Sequence, residues 1–223
     1  MREKTLTKPQ GILFDLDGTL LDTAQDLGET LNYVLSTLNK PPVSYQQYRP
    51  VASHGAAGLL KLGLGENWQS YDVEKLRRIF LDYYLNNISV HTEFFDGMAE
   101  TLSQLNYYNI AWGVVTNKPA FLTDVLLTQY PEFRHSQINV SGDTLKVRKP
   151  DPAPLLHACQ HMQINAEQCW YVGDAHRDIE AGNRAGMQTF VANWGYTQDE
   201  RPVSQWQANH IIEHPCELIS YFS

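Results

Sequence analysis

The first apolar run, Gly11-Ile-Leu-Phe-Asp-Leu-Asp17, places four apolar residues among the six from Ile12 to Asp17 and is followed at once by the turn pair Gly18-Thr19. No helical face fits that spacing, so residues 11–17 are predicted to form a short buried strand ending in carboxylates. From Asp22 to Leu38 the period changes. Ala24, Leu27, Leu31, Val34, Leu35 and Leu38 recur at intervals of three and four, which predicts an amphipathic helix with Asp22 or Thr23 as its cap. A second helix is predicted over 71–87, where Val73, Leu76, Phe80 and Tyr84 share one stripe with Ile79 and Tyr83 beside it. Residues 40–70 between them read as helix and turn, broken by Pro41-Pro42 and by Gly55, Gly58, Gly63 and Gly65.

Beyond about residue 93 strands and helices alternate, the pattern of a parallel sheet with right-handed crossovers. The reading gives a helix capped by Asp96 running to Leu105, a strand over 111–115, a helix over 119–128 and a short strand over 138–140. Asp151 then caps a helix with Pro152 in its first position and Leu155, Leu156, Cys159 and Met162 turned to the core. A strand over 169–172, a helix over 176–185 closed by Gly186, a strand over 189–192, a strand at 210–212 and a last helix over 215–221 complete the series. The expected fold is a three-layer, Rossmann-like α/β core with a parallel sheet, built from residues 1–20 and 93–223, with an all-helical domain inserted at 21–92.

Composition narrows the class. The 223 residues carry 17 Lys+Arg and 25 Asp+Glu, a net charge of −8, with 43% hydrophobic residues and 12 Tyr, 8 Phe and 5 Trp. Such a chain fills a sizeable core, and disorder is excluded. Acidity without any Lys/Arg run argues against nucleic acid and against an anionic membrane surface as partners. Cys159, Cys169 and Cys216 show no paired spacing, so neither a disulfide framework nor a cysteine metal site is expected, and reduced thiols fit the cytoplasm. The segment after the polar residues 1–10 is interrupted at Asp15, too early for a signal peptide. No stretch approaches the roughly 20 apolar residues of a membrane span. A monomer or a homodimer is expected.

Asp15 and Asp17 fall two apart at the carboxyl edge of the first strand, where open α/β sheets bind ligands. Thr116-Asn117 follows the strand over 111–115, Lys149-Pro150 precedes a capped helix, and Gly173-Asp174 with Asp178 follows the strand over 169–172. All lie at loop ends on the same predicted side. Convergence of Asp15, Asp17, Asp174 and Asp178 would gather four carboxylates, whose mutual repulsion calls for a cation. An all-oxygen set with few carboxylates and room for water suits Mg²⁺ better than Ca²⁺. Lys149 would add a fixed positive charge and Thr116 a hydroxyl donor for a phosphoryl group.

Asp15-Leu-Asp17-Gly-Thr19, Thr116-Asn117, Lys149-Pro150 and Gly173-Asp174-x-x-x-Asp178 resemble the four ordered motifs of the haloacid dehalogenase superfamily. The helical insertion after the first motif resembles that superfamily's small cap domain. The resemblance implies that Asp15 is a nucleophile taking a phosphoryl group, and that Asp17 protonates the leaving oxygen and later activates water. It further implies that Thr116, Asn117 and Lys149 hold the phosphate, and that Asp15, Asp174 and the backbone carbonyl of Asp17 bind magnesium, with Asp178 behind them orienting Lys149. An aspartate at position 17 disfavours dehalogenation.

Within the superfamily, Gly142-Asp143-Thr144 and Arg148-Lys149-Pro150-Asp151-Pro152 resemble phosphoglycolate phosphatases. Val114-Val115-Thr116-Asn117-Lys118-Pro119, Phe95-Asp96-Gly97-Met98 and Trp194-Gly195-Tyr196 resemble the N-acetylmuramic acid 6-phosphate phosphatases. The expected substrate is a small phosphorylated acid; a β-phosphoglucomutase-like phosphomutase and a non-catalytic phospho-ligand binding protein are the alternatives. Specificity is expected from Ser53-His54-Gly55-Ala56-Ala57-Gly58, with His54 donating to a substrate carboxylate, and from Lys118 beside the phosphate loop. Arg49 and Lys61 read as solvated, and Trp194 and Tyr196 as the rim of the cleft.

Overall fold

The structure, a computed structural model, describes residues 6–198 and 201–221. In chain order the elements are β1 (Gly11–Phe14), β2 (Leu21–Asp22), α1 (Ala24–Thr37), α2 (Tyr45–Tyr48), α3 (Gly55–Leu64), α4 (Val73–Asn86), β3 (Glu93–Phe94), α5 (Met98–Tyr107) and β4 (Ala111–Val115). They continue as α6 (Ala120–Leu127), β5 (Asn139–Val140), α7 (Ala153–Met162), β6 (Cys169–Gly173), α8 (His176–Arg184), β7 (Gln188–Ala192), β8 (His210–Ile212) and α9 (Glu217–Ser220).

Six strands form one sheet in the order β5-β4-β1-β6-β7-β8, and every pairing in it is parallel. β1 is therefore central, between β4 and β6. The chain leaves β1 toward one edge and returns on the other side of it, so the strand order reverses beside the carboxyl end of β1, the place where such sheets form a ligand crevice. Both faces are covered, and Ile12, Leu13, Phe14, Val114, Val115, Val172 and Phe190 have no solvent exposure. That is why these strands read as continuous apolar runs instead of alternating ones.

The helical insertion follows from its apolar stripe. Leu27, Leu31, Val34 and Leu35 of α1 are buried, as are Leu59 and Leu60 of α3 and Phe80 and Tyr84 of α4. Burying each such leucine contributes roughly 1.5–3 kcal/mol, more than short helices gain from propensity alone. Asp72 caps α4 by accepting from the Lys75 N–H at 3.0 Å.

Several sequence expectations are corrected. β1 ends at Phe14, not at Asp17. Leu16 turns into the core and its carbonyl accepts from the N–H groups of Thr19, Leu20 and Leu21, so Asp15 and Asp17 sit on a tight loop. Gly97, in the left-handed region, caps α5 in place of Asp96. On α7 Leu156 is 42% exposed, while Pro154, Leu155, Ala158 and Cys159 are buried, because the sheet covers a narrower arc of this helix than its apolar residues span. The antiparallel pair β2–β3, joining Leu21 to Phe94 and Asp22 to Glu93, was not legible: two residues per strand carry no period. It closes the base of the insertion. Asp26 braces the same place, its buried carboxylate accepting from the N–H groups of Val90, His91 and Thr92 and from the Thr92 hydroxyl. No helix among the described residues is long and apolar enough to cross a membrane.

Candidate active site

Four loops, at the carboxyl ends of β1, β4, β5 and β6, bring the motifs together. After β1 the chain turns at Gly18, whose φ is +86°. A Cβ there would collide with the carboxylate of Asp174 and the ring of Tyr196, so only glycine lets the two loops touch. Thr19 Oγ1 donates to Asp174 Oδ1 at 3.0 Å, and the Tyr196 N–H donates to Asp174 Oδ2 at 3.0 Å. One oxygen from each of Asp15, Asp174 and Asp178 lies within 4.8 Å of the other two. All three residues are buried.

Lys149 is the counter-charge. Its Nζ, with no exposed side-chain surface, lies 2.9 Å from Asp15 Oδ1 and 2.8 Å from Asp178 Oδ1. It also donates to the Val115 carbonyl at 2.7 Å and the Tyr171 hydroxyl at 2.8 Å. These contacts make Lys149 the partner of two aspartates. Four oxygens surround its three N–H groups, and Lys149 also lines the cavity in which sequence reading placed it against phosphate. Asn117 lines the cavity as well. Its side-chain amide donates to the Lys149 carbonyl at 2.9 Å and accepts from the Lys149 N–H at 3.1 Å, so it holds the loop that carries the lysine.

The electrostatics follow from burial and neighbours. Burial, then repulsion from Asp15 and Asp178, pushes Asp174 up to about 8. Burial also raises Asp15, against the pull of Lys149. Burial works on Asp178 in the same direction, but Lys149 and Arg177 outweigh it and hold its carboxyl below the ordinary range. A carboxyl group that retains its proton near neutrality marks a cluster short of positive charge. The donor set is all oxygen, compact and under-neutralised, and it fits a hard divalent cation.

Asp17 faces a different partner. Its Oδ1 accepts from Lys118 Nζ at 2.7 Å and from Thr23 Oγ1 at 2.8 Å. Lys118 Nζ also donates to the Tyr84 hydroxyl of α4 at 2.9 Å, so a core lysine joins the loop aspartate to the helical insertion. Asp17 and Tyr84 hold the Lys118 ammonium above the usual lysine range despite its burial.

These groups open on a cavity of about 550 Å³ between the sheet and the helices, lined in the core by Asp15, Asp17, Thr116, Asn117, Lys118 and Lys149. Across from them Ser53, His54, Gly55, Ala56 and Ala57 form the opposite wall, as the sequence led one to expect of that segment. Asp174 and Asp178 lie behind this lining. Lys61 is exposed, as expected. Arg49 is not a solvated residue: it pairs with Asp22 at 3.7 Å, donates to the carbonyls of Trp194 and Gly195 at 3.4 Å and lies over the Tyr196 ring. Trp194 and Tyr196 do not rim the cavity. Trp194 Nε1 donates to the Thr19 carbonyl, and buried Tyr196 donates from its hydroxyl to Asp22 Oδ1 at 2.6 Å. Both brace the first loop.

Sequence reading missed Tyr171, Tyr84 and Arg177. The tyrosines look like core residues in an apolar strand and helix, and nothing local shows their hydroxyls reaching lysines. Arg177 stands inside the spacing between Asp174 and Asp178, which was the available signal.

A family model described as haloacid dehalogenase-like hydrolase matches residues 12–192. The chain is 40% identical over 211 residues to a phosphoglycolate phosphatase of Xanthomonas campestris pv. campestris, covering 94% of this chain and 95% of that one. It is 37% identical over 210 residues to an N-acetylmuramic acid 6-phosphate phosphatase of Pseudomonas aeruginosa, covering 94% and 93%. Among solved structures it is similar to the crystal structure of a predicted phosphoglycolate phosphatase from Haemophilus somnus, with a TM-score of 0.84 and 26% identity over 96% of this chain and 98% of that one. Four motifs converging on one crevice, a match spanning most of the chain and relatives alike along nearly their whole length lead to one conclusion: the chain belongs to the haloacid dehalogenase-like hydrolase family.

Proposed function

We propose that this chain, a phosphatase of the haloacid dehalogenase-like hydrolases, hydrolyses the phosphomonoester of a small phosphorylated acid through a covalent aspartyl-phosphate on Asp15. The observation that carries the reading is the position of Asp15: a buried carboxylate whose Oδ1 is held by Lys149 Nζ at 2.9 Å and by the Leu16 N–H at 2.8 Å, at the wall of the cavity. With Oδ1 restrained, Oδ2 is the oxygen free to attack phosphorus. Asp17, in the same cavity, supplies the proton to the leaving oxygen and then takes one from the water that releases phosphate. At rest its Oδ1 accepts from Lys118 Nζ at 2.7 Å, a contact that must open before that oxygen can carry a proton.

Asp15, Asp174 and the Asp17 carbonyl are the groups we assign to Mg²⁺, with Asp178 orienting Lys149; bound there, the ion would cancel the repulsion between a carboxylate nucleophile and a phosphate dianion. Thr116, Asn117 and Lys149, which line the cavity, are the groups we assign to the phosphate. Residues 21–92 act in this proposal as the cap, with residues 53–58 over the substrate and His54 toward its carboxylate. Both relatives named above support an acid-bearing substrate, 2-phosphoglycolate or N-acetylmuramic acid 6-phosphate; the cytoplasmic setting in the proposal rests on cysteines without paired spacing.

The test is phosphate release by the purified protein with and without Mg²⁺ on 2-phosphoglycolate, N-acetylmuramic acid 6-phosphate and β-glucose 1-phosphate. Magnesium-dependent release from one of the acids, abolished in Asp15→Asn, is the expected result. No release from any of them by folded protein in magnesium would refute it.

A further inference from the structure

Arg177 lies in the first turn of α8, where the exposed N–H groups of the helix carry partial positive charge and disfavour a cation. What holds it there is on two sides. On the side of the sheet it lines the cavity together with Asp15 and directly precedes Asp178 in the chain, so that its charge acts on Asp178, Asp15 and Asp174. Toward the helical insertion its Nη2 donates to the Ser53 carbonyl at 2.9 Å and to Ser53 Oγ at 2.8 Å. Ser53 belongs to the tight helical turn Arg49–His54, which leads through Gly55 into α3 and lines the cavity opposite the carboxylates.

The charges explain why an arginine belongs here. Of the three buried carboxylates, Asp15 and Asp178 have Lys149 as their ion-pair partner; Arg177 supplies a second positive charge, and with all three ionised one negative charge remains for a divalent cation to meet. The guanidinium is planar and stays protonated, so it can serve as a permanent counter-charge on one side while one of its nitrogens, Nη2, donates to two oxygens on the other. We infer that Arg177 is a positioning residue that balances the carboxylate cluster and, with the same guanidinium, tethers the 53–58 segment over the cavity. The consequence is a link between metal site and substrate wall. A cation entering the cluster repels the guanidinium toward Ser53, tightening the tether when the site is loaded. This rests on the reading that the cluster takes a divalent cation.

The experiment separates charge from tether. Arg177→Gln removes the charge; Arg177→Lys keeps it and loses the reach of Nη2; Ser53→Ala removes one of the two acceptors. Mg²⁺ affinity is measured by calorimetry and backbone amide exchange is followed over residues 49–58. Arg177→Gln should bind Mg²⁺ roughly fivefold more tightly, the size of a screened unit-charge interaction with a divalent ion, while exchange over 49–58 accelerates about tenfold through loss of a charge-assisted bond. Arg177→Lys should leave Mg²⁺ affinity within about twofold and still accelerate exchange, because the shorter lysine side chain does not carry its nitrogen to the position of Nη2 beside Ser53. Ser53→Ala should accelerate exchange less and leave the metal unchanged. General structural damage would weaken metal binding, the opposite sign. Weaker Mg²⁺ binding in Arg177→Gln, or unchanged exchange in both arginine variants, overturns the inference. If the unmodified protein binds no Mg²⁺, the metal reading and the charge-balancing half fail together, and the exchange arm alone decides the tether.

Discussion

Replacing Lys149 with methionine tests the electrostatic account of the site most directly. Methionine keeps the length of the side chain but removes an ammonium that lies 2.7–2.9 Å from four oxygens, two of them on Asp15 and Asp178. Breaking one buried ion pair from one side costs roughly 3–5 kcal/mol, because a charge is left without a partner. Here two carboxylates are orphaned in a site with no exposed lysine surface, so a loss of about 4–5 kcal/mol is expected, a large share of the roughly 5–15 kcal/mol that holds a domain folded. The orphaned groups will escape by binding protons. Their folded pKa values then rise above the unfolded ones, and the stability they contribute is present at low pH and lost as pH rises. The deficit should therefore be smaller at pH 5 than at pH 8. Asp178→Asn in the Lys149→Met background removes one orphan and should recover part of the loss. Urea unfolding of EDTA-treated protein at both pH values, for wild type, the single variants and the double variant, measures each quantity. A deficit below about 1 kcal/mol at pH 8, or a double variant no more stable than Lys149→Met, would refute the counter-charge role.

The metal-free protein should itself lose stability as pH rises. Asp174, at about 8 when folded against an ordinary 3.8, contributes stability that is complete below about 3.8 and gone above about 8. Asp178 is shifted the other way and titrates below that window, so melting of EDTA-treated protein should fall from pH 5 to 8.5 and the slope should flatten with Mg²⁺; a flat profile without metal counts against the cluster. Asp15→Asn should abolish turnover with the melting temperature no lower than wild type, since it removes a buried charge at constant volume; residual turnover above a few per cent would exclude Asp15 as nucleophile. Gly18→Ala forces a Cβ into the Asp174 carboxylate at a φ of +86° and should cost about 3 kcal/mol or more together with most Mg²⁺ affinity, read by urea unfolding and calorimetry. Unchanged values would show that the loop relaxes freely.

Much of the fold is local in origin, and so it was legible. The apolar runs at Ile12–Phe14 and Val114–Val115 are buried on both faces, and the stripe through Leu27, Leu31, Val34 and Leu35 faces one partner, so period and composition identify strand and helix without further information. The motif aspartates were legible for the same reason, since each stands directly beyond a recognisable element. What failed were features whose cause lies in a second segment. Asp96 looked like a helix cap, but Gly97 turns the chain and leaves the Asp96 carboxylate exposed 3.6 Å from His214 Nε2. Arg49 looked solvated because its partners, Asp22 and the carbonyls of Trp194 and Gly195, are distant in sequence. For Lys118, read as touching substrate, and Asn117, read as holding phosphate, the sequence did not show the partners that come from distant segments, Asp17 and Tyr84 for the first and the backbone of Lys149 for the second.

By itself the sequence determined which elements form and which residues stand at the mouth of the sheet, because hydrophobic periodicity, glycine turns and the placement of carboxylates after strands act over a few residues. Only the tertiary structure decided how charge is shared among those residues. Lys149 serves two aspartates, Lys118 answers to a tyrosine from another layer, and Arg177 acts on the carboxylates by its charge while holding Ser53. Such pairings depend on distances across the cavity and on the exclusion of water between elements, and ion-pair strength falls with separation and dielectric. Spacing along a chain specifies neither.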